Sequence, residues 1–541
     1  MNLLSSADAD GCDPETLDRC NSLLQDNIHP VWDFIILTAS NEEQALSYRK
    51  QIEFRLEKGL LSKDIHYAVV PDIEGKRIGS GGATLNVLRY IRDCSIDVDC
   101  FSGKHILVIN SGGDSMRIPQ YSACGKIFAP VARELSEGIS ATFFDEIIKS
   151  VAELPSRLPA GMLILAGDIL LVFDPLRIEL TGCDAAAMSV SENILKGTNH
   201  GVFIPDDEGN VKKFMHKSSI ADLREFGAED NDSNVHLDTG AIWLGENIIN
   251  DLLKLLLTGS KINNEKYKKF INEKARLSFY ADFVYPMARD SCLDRFYLEI
   301  PEGGYTDELK NCRTSLWQAL HKYSMKLVDM SPAFFIHFGT TAELLKIMTS
   351  DIEKYACFGW KSAVNTNIDA SGKFSVNSSF VDKNTEIGDG SYIENSLIYN
   401  SKVGKNCIIS NTTLNLVKIP DNVVIHSLKQ NDGDFVVRIY GINDDPKLGF
   451  YDGGTFLGIP IRNFLKEHRL KVSDLWDSEP YCLWDAKLFC KSASMSQSLE
   501  YALSLCTDSA GSCEIDRRVS LQQSYEKADI DDIIRRANPD E

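Results

Sequence analysis

From residue 31 to about residue 345 the chain alternates short apolar runs with stretches of helical apolar spacing, and this alternation limits the fold more than any other feature. Each run has strand length, and the residues between runs suffice for a helical crossover, so the pattern predicts an α/β unit with a mainly parallel sheet. The runs are Trp32 to Leu37, then residues 65–70, 105–110, 162–167 and 201–205. After the first, Ser40 stands three residues before Glu43, the spacing of a capping box, and Ile52 and Leu56 carry an apolar face up to Gly59. A ligand of such a sheet is expected beyond the carboxyl ends of its strands, where the loops gather.

Beyond Phe374 the texture changes. Val381, Ile387 and Ile393 recur every six residues, and Leu397, Val403 and Ile409 resume the spacing. Gly388-Asp389-Gly390 and Gly404-Lys405-Asn406 fall between them as corners, which predicts a short parallel β-helix acting as a scaffold. An irregular run of antiparallel strands is the alternative. Residues 435–442 read as a strand and 453–465 as a lead into a helix, while the charged tail from Ile515 to Glu541 reads as helical and linker-like. The expected organisation is an extension over 1–30, an α/β domain over 31–370, the β-helix over 371–430 and a small α+β region over 431–541.

The chain has 541 residues and a net charge of −21, which suits two or three domains and argues against nucleic acid as partner. No apolar run approaches the ~20 residues of a membrane span, and the first thirty residues lack the apolar core of a secretory signal. Fourteen cysteines occur without a CxxC pair or zinc spacing, so they are expected to be reduced thiols in a cytoplasmic protein.

Four segments carry chemistry. Gly79-Ser80-Gly81-Gly82-Ala83-Thr84 precedes a helical pattern; such a loop lets amides approach an anion at a helix start, or is simply a tight turn. The strand at 105–110 runs into Ser111-Gly112-Gly113-Asp114-Ser115-Met116-Arg117-Ile118-Pro119, with Gly125-Lys126 soon after. Leu165-Ala166-Gly167-Asp168 ends an apolar strand, where a carboxylate either holds a divalent cation or caps a turn; Asp174 is the fallback. Last come Thr198-Asn199-His200-Gly201, then His216-Lys217, and then Leu237-Asp238-Thr239-Gly240.

Together these resemble the sugar nucleotidyltransferases, whose signature is a glycine-rich loop closing on Arg, then Pro, then Pro-Lys; here Gly125 replaces the proline before Lys126. The order of segments is most similar to the fucose-1-phosphate guanylyltransferases, and to the N-terminal half of bifunctional fucokinase/fucose-1-phosphate guanylyltransferases, through residues 335–340 before the repeats. The resemblance implies a Rossmann-like, GT-A-like mixed sheet and GTP and fucose 1-phosphate as substrates. It also implies Mg²⁺ or Mn²⁺ on Asp168 and a kinase half attached in the full-length protein. It makes Arg117 and Lys126 the catalytic cations and puts residues 79–84 and Gly112, Gly113, Asp114 and Ser115 on the nucleotide. Gly201, Lys217, Asp238 and Thr239 fall on the sugar phosphate, with Asp238 open to either a sugar or a metal contact. His216 stands where the family has a sugar-binding Glu. No glycine/serine-rich ATP loop follows the repeats, so no kinase activity is expected of this sequence.

Two rivals differ in class. A hexapeptide-repeat acyltransferase needs a longer β-helix with a catalytic histidine, and His426 is the only histidine near these coils. A non-catalytic sugar-nucleotide sensor needs the glycine-rich loops but can dispense with Lys126 and Asp168.

Overall fold

The computed structural model describes residues 32–95, 99–178, 180–370, 372–507 and 513–538, so the expected extension over 1–30 lies outside the described residues. The chain divides into two compact units, Met1–Gly112 with Ile147–Ile336, and Gly113–Glu146 with His337–Glu541.

The first unit is built on a mixed sheet. Strand β1 (Phe34–Ala39) pairs in parallel with β2 (His66–Pro71) and β3 (His105–Asn110), and β3 pairs in parallel with β6 (Gly161–Ala166). Ile35, Ile36 and Leu37, and Ile106 through Ile109, are buried, as strands with both faces covered require. Strand β7 (Ile169–Phe173) lies off this sheet, while β8 (Ala185–Asn193), β9 (Gly201–Pro205), β10 (Val211–His216) and β11 (Asn234–Gly245) extend it. β11 runs antiparallel to β6, β8 and β9, and β10 runs antiparallel to β9. A small hairpin, β12 (Leu257–Thr258) with β13 (Lys261–Ile262), precedes β14 (Met325–Asp329), which lies parallel to β8, and β15 (Ala333–His337) pairs with β7.

Two local expectations are corrected. The helix after β1, α1 (Glu42–Glu57), is capped by Asn41 and not Ser40: the Asn41 side chain accepts from Gln44 N at 2.8 Å, and Gln44 Oε1 takes the amide of Ser40. The capping partner is thus Gln44, and Glu43 stays exposed. The glycine-rich stretch from Gly79 does not precede a helix but forms its first turns, in α2 (Gly79–Cys94).

The second unit includes the excursion after Gly112, with strands β4 (Pro130–Glu134) and β5 (Ser140–Thr142) paired antiparallel. This stretch was expected within the 31–370 domain. It joins the second unit because Ala132 O accepts from Lys361 N beside β16 (Ala363–Thr366). β17 (Ser375–Val381) starts two of three parallel ladders. Glu386–Ile387 (β18), Tyr392–Glu394 (β19), Leu397–Tyr399 (β20), Lys402–Val403 (β21), Ile408–Ser410 (β22), Thr413–Asn415 (β23) and Val423–Lys429 (β24) complete them. The ladders are β17-β19-β22-β24, β17-β20-β23 and β18-β21.

The six-residue spacing needs revision. Leu397 is 43% exposed and Ile398 is fully buried, so the inward column runs Ile393, Ile398, Val403, Ile409, Leu414, Ile419, Ile425. Steps of five, five and six give a sixteen-residue repeat, as in the pairings Ile393↔Ile409 and Ile409↔Ile425. Tight left-handed corners at Asn395, Asn400, Asn406, Asn411 and Asn422 shorten the coil, asparagine being the non-glycine residue that best tolerates positive φ.

β24 then pairs antiparallel with β25 (Phe435–Gly441), where the sequence pointed to a strand. The hairpin of β26 (Thr455–Phe456) and β27 (Ile459–Pro460) leads into a helix over Ile461–Glu467. β28 (Phe489–Ser492) and β29 (Arg518–Val519) continue the antiparallel edge. The tail does not behave as a linker: Leu521 and Ser524 are fully buried, and Asp529 pairs with Lys429 at 3.1 Å. Cys490 and Cys513 are disulfide-bonded with a Cα separation of 6.1 Å, which corrects the expectation that every cysteine is a free thiol.

Candidate functional site

In the first unit, β1, β2, β3 and β6 end on one rim, with Ala39 opposite Pro71 and Asn110 opposite Ala166. Asp168 stands there in the turn between β6 and β7, half-buried. Gly167 is fixed sterically, since a Cβ would lie 2.9 Å from Ser111 Cα. Residues Asp238-Thr239-Gly240 reach the same rim through an irregularity in β11, where the register with β8 shifts between Asp238 and Ala241. Gly240, at φ +71°, leaves no room for a Cβ, which would sit 2.9 Å from Ala166 Cβ.

One phenol ties the rim together. Tyr280 donates to Gly240 O at 3.0 Å, and its own ionisation is pushed far up by burial and by the charges of Asp238, Asp168 and Glu302. The two predicted carboxylates therefore act on one side chain. Burial raises the Asp238 carboxyl to about 6, although the Gly240 amide, 2.9 Å away, opposes the shift. Among the described residues no group of three or more His, Cys, Asp or Glu side chains is placed to hold a metal alone. A pair of carboxylates nevertheless matches Mg²⁺, which commonly takes one or two and leaves its other positions to water and phosphate. Asp174, the fallback, caps the turn after β7 by accepting from Leu176 N at 3.0 Å.

Gly201 opens β9 against Asp238: its Cβ would meet Asp238 Cβ at 2.9 Å and the Phe214 ring at 2.7 Å. Lys217 is exposed just past β10 in a left-handed conformation, φ +50°, its amide bonded to His200 O at 3.0 Å. The Thr239 hydroxyl is turned inward to Met188 O at 2.6 Å, so this side chain shapes the bulge.

The residues 79–84 divide in two. Gly81, Gly82, Ala83 and Thr84 are buried in α2, and only Gly79 and Ser80 are partly accessible. A Cβ on Gly79 would fall 2.2 Å from Leu277 O, and one on Gly81 would fall 2.6 Å from the Phe283 ring. Gly81 N already donates to Leu277 O at 2.8 Å, and Ser80 Oγ bonds Glu302 and Phe279 N. Beside this helix start Asp72 is raised to about 7, chiefly by burial, with Glu302 adding to the shift and Arg77 and Arg276 opposing it. Sequence reasoning missed Asp72, Arg276, Tyr280 and Glu302, which sit in segments with no repeating pattern.

Gly112 closes this unit exposed, its amide 3.3 Å from Thr38 Oγ1. The signature continues in the second unit. Gly113 is exposed and Asp114 half-buried, while Ser115, at φ +52°, accepts from Lys126 N through its hydroxyl at 3.3 Å. Gly125 adopts φ +81° and donates its amide to Tyr121 O at 2.7 Å; proline offers neither, which accounts for the departure from the Pro-Lys pattern. Lys126 Nζ lies 3.4 Å from Phe338 O, and Arg117 O accepts from the amide and hydroxyl of Thr341. Phe338 and Thr341 thus brace the signature, and Thr340 beside them forms a capping box with Glu343.

The model for the fucose pyrophosphorylase domain matches residues 98–493. A bifunctional fucokinase/GDP-fucose pyrophosphorylase of Arabidopsis thaliana is 28% identical over 521 residues, covering 85% of this chain and 47% of that protein. The human fucose-1-phosphate guanylyltransferase is 26% identical, covering 93% of this chain and 89% of its own length. An L-fucokinase/L-fucose-1-P guanylyltransferase of Bacteroides fragilis is 23% identical, with 75% of this chain and 40% of that protein aligned. The chain therefore spans about half or less of the two bifunctional relatives. No helix among the described residues is long and apolar enough to cross a membrane. On its residues, and on the match over most of its length, the chain belongs to the fucose pyrophosphorylase domain family.

Proposed function

We propose that this protein is a nucleotidyltransferase that makes GDP-L-fucose and pyrophosphate from GTP and β-L-fucose 1-phosphate, in the salvage of fucose. The observation that carries the reading is the family match over 98–493, which contains Arg117, Lys126, Asp168 and Asp238. In the reaction a phosphate oxygen of the sugar attacks the α-phosphorus of GTP in line, and the bond to the β-phosphate breaks as pyrophosphate leaves. No covalent enzyme intermediate is required, so the protein contributes positioning and charge. Arg117 and Lys126 offset charge on the phosphoryl oxygens, and Lys217 and the Gly201 backbone receive the sugar phosphate. Asp168 would hold Mg²⁺ or Mn²⁺ with Asp238 as a second carboxylate, an assignment supported by the charges of both acting on the one Tyr280 side chain. A bound divalent ion supplies neutralisation of the phosphate oxygens; losing one such charge-stabilising group typically costs on the order of 10²–10³ in rate.

The three parallel ladders support reading residues 371–430 as a short parallel β-helix. The acyltransferase alternative loses its candidate base, since His426 is fully buried. The bifunctional relatives support attachment to a kinase half in a longer protein, and we place the enzyme in the cytoplasm. The test is a substrate matrix. GTP with fucose 1-phosphate and Mg²⁺ should release pyrophosphate fastest, and free fucose with ATP should yield no phosphorylated sugar. Faster release with another nucleotide or sugar phosphate overturns the substrate assignment, and release with none overturns the transferase reading.

A further inference from the structure

The second unit contains a row of buried polar side chains that the reaction does not account for. Asn377, Glu394, Ser410, His426 and Arg438 occupy consecutive register positions across β17, β19, β22, β24 and β25. All five are fully buried. Their sequence neighbours Val376, Ile393, Ile409, Ile425 and Ile439 form the parallel apolar row on the opposite face, as period-two alternation demands.

The polar row is occupied by the excursion that carries the signature. Asn377 Nδ2 donates to Val131 O at 3.1 Å, and Ser140 Oγ donates to Asn377 Oδ1 at 2.7 Å. Tyr121 Oη and Ser410 Oγ donate to the two oxygens of Glu394 at 2.8 and 2.6 Å. Arg438 donates to Pro119 O at 2.9 Å, to Ser122 Oγ at 3.1 Å and to His426 Nδ1 at 2.6 Å. Two residues further along β25, Tyr440 Oη donates to Gln120 Oε1 at 2.7 Å and accepts from Gln120 N. A guanidinium buried on a carbonyl, a hydroxyl and an imidazole, with no carboxylate among these partners, is costly to fold, and an apolar residue would give a cheaper core. The expense is understandable if the arrangement fixes where residues 119–122 lie.

We propose that this row is a cradle that sets the position of residues 117–126, with Arg438, Glu394 and Tyr440 as positioning residues for Arg117 and Lys126. The clamp brackets both cations. Pro119 follows Arg117 by two residues, and Tyr121 O holds the amide of Gly125, which precedes Lys126. What the two cations do rests on the transferase reading; where they are held does not. Burial raises the Glu394 carboxyl to about 7, so the cradle contains one cation and an easily neutralised acid and is not an ion pair.

The experiment compares Arg438→Met, Arg438→Lys and Tyr440→Phe by amide hydrogen exchange and by steady-state kinetics per folded molecule. Exchange over residues 115–128 should rise in Arg438→Met and Tyr440→Phe while the β26-β27 hairpin is unchanged. For Arg438→Met kcat should fall roughly a hundredfold, as expected of a misplaced reacting group, with KM for fucose 1-phosphate nearly unchanged. Arg438→Lys, which retains a donor toward Pro119 O, should recover part of the loss. If Arg438→Met does not fold, Tyr440→Phe removes a single hydroxyl and decides the matter. Unchanged exchange over 115–128, or unchanged kcat with only a lowered Tm, overturns the cradle. Wild-type protein inactive with every substrate pair, with the exchange change present in the variants, overturns the transferase reading alone.

Discussion

The two glycine-rich segments of the first 115 residues look alike in sequence and use glycine for different reasons. At Gly79 and Gly81 the missing side chains let α2 press against the backbone and ring of residues 277–283. At Gly112 an added Cβ would meet nothing nearer than 3.5 Å, and at Gly113 nothing within 4 Å, and both are exposed. One segment spends its glycines on a close internal contact and the other keeps them accessible. A run of glycines after a strand therefore need not be open to a ligand, since the same residues also serve close internal packing.

The comparison breaks most readily by substitution. Gly79→Ala places a methyl group 2.2 Å from a carbonyl oxygen at φ +77° and should cost roughly 3 kcal/mol or more, read as a large fall in Tm. Gly81→Ala, which meets the Phe283 ring, should cost about 1–3 kcal/mol, because a side chain yields more readily than backbone. Gly112→Ala should change stability by no more than about 0.5 kcal/mol and yet lower turnover. Equal losses of Tm at Gly79 and Gly112 would erase the distinction.

A subtler effect is expected at Asp238. Its folded carboxyl is raised to about 6 from an ordinary value of 3.8, so between these values the folded state binds more protons than the unfolded state. Stability is then lost as pH rises through that window. Asp238→Asn should raise Tm relative to wild type above about pH 6, with the gain vanishing below about pH 4. A gain that is independent of pH would place the burial cost elsewhere.

Much of this was legible in the sequence where apolar runs are unbroken: β3 and β9 match the expected runs residue for residue. β8 was missed because Ala185-Ala186-Ala187-Met188 favours a helix by propensity, whereas its small side chains suit a strand packed between β11 and β14. The column slip at Leu397 arose because Ile398 is equally apolar, and only the left-handed corner at Asn395 decides which of them turns inward. Arg438 lay hidden inside an apolar run, where a lone charge ordinarily marks an exposed edge; its partners Pro119 and Ser122 are more than 300 residues away in sequence. Asp168 and Asp238 were found through short local motifs, but their common neighbour Tyr280 lies in a segment with no such pattern.

The central claim is that the two carboxylates around Tyr280 serve nucleotidyl transfer from GTP to fucose 1-phosphate. Pyrophosphate release at saturating Mg²⁺ should be measured for wild type, Asp168→Asn and Asp238→Asn, alongside Tm. Each variant is predicted to fold and to lose on the order of 10²–10³ in kcat. Near wild-type turnover in both folded variants would contradict the claim.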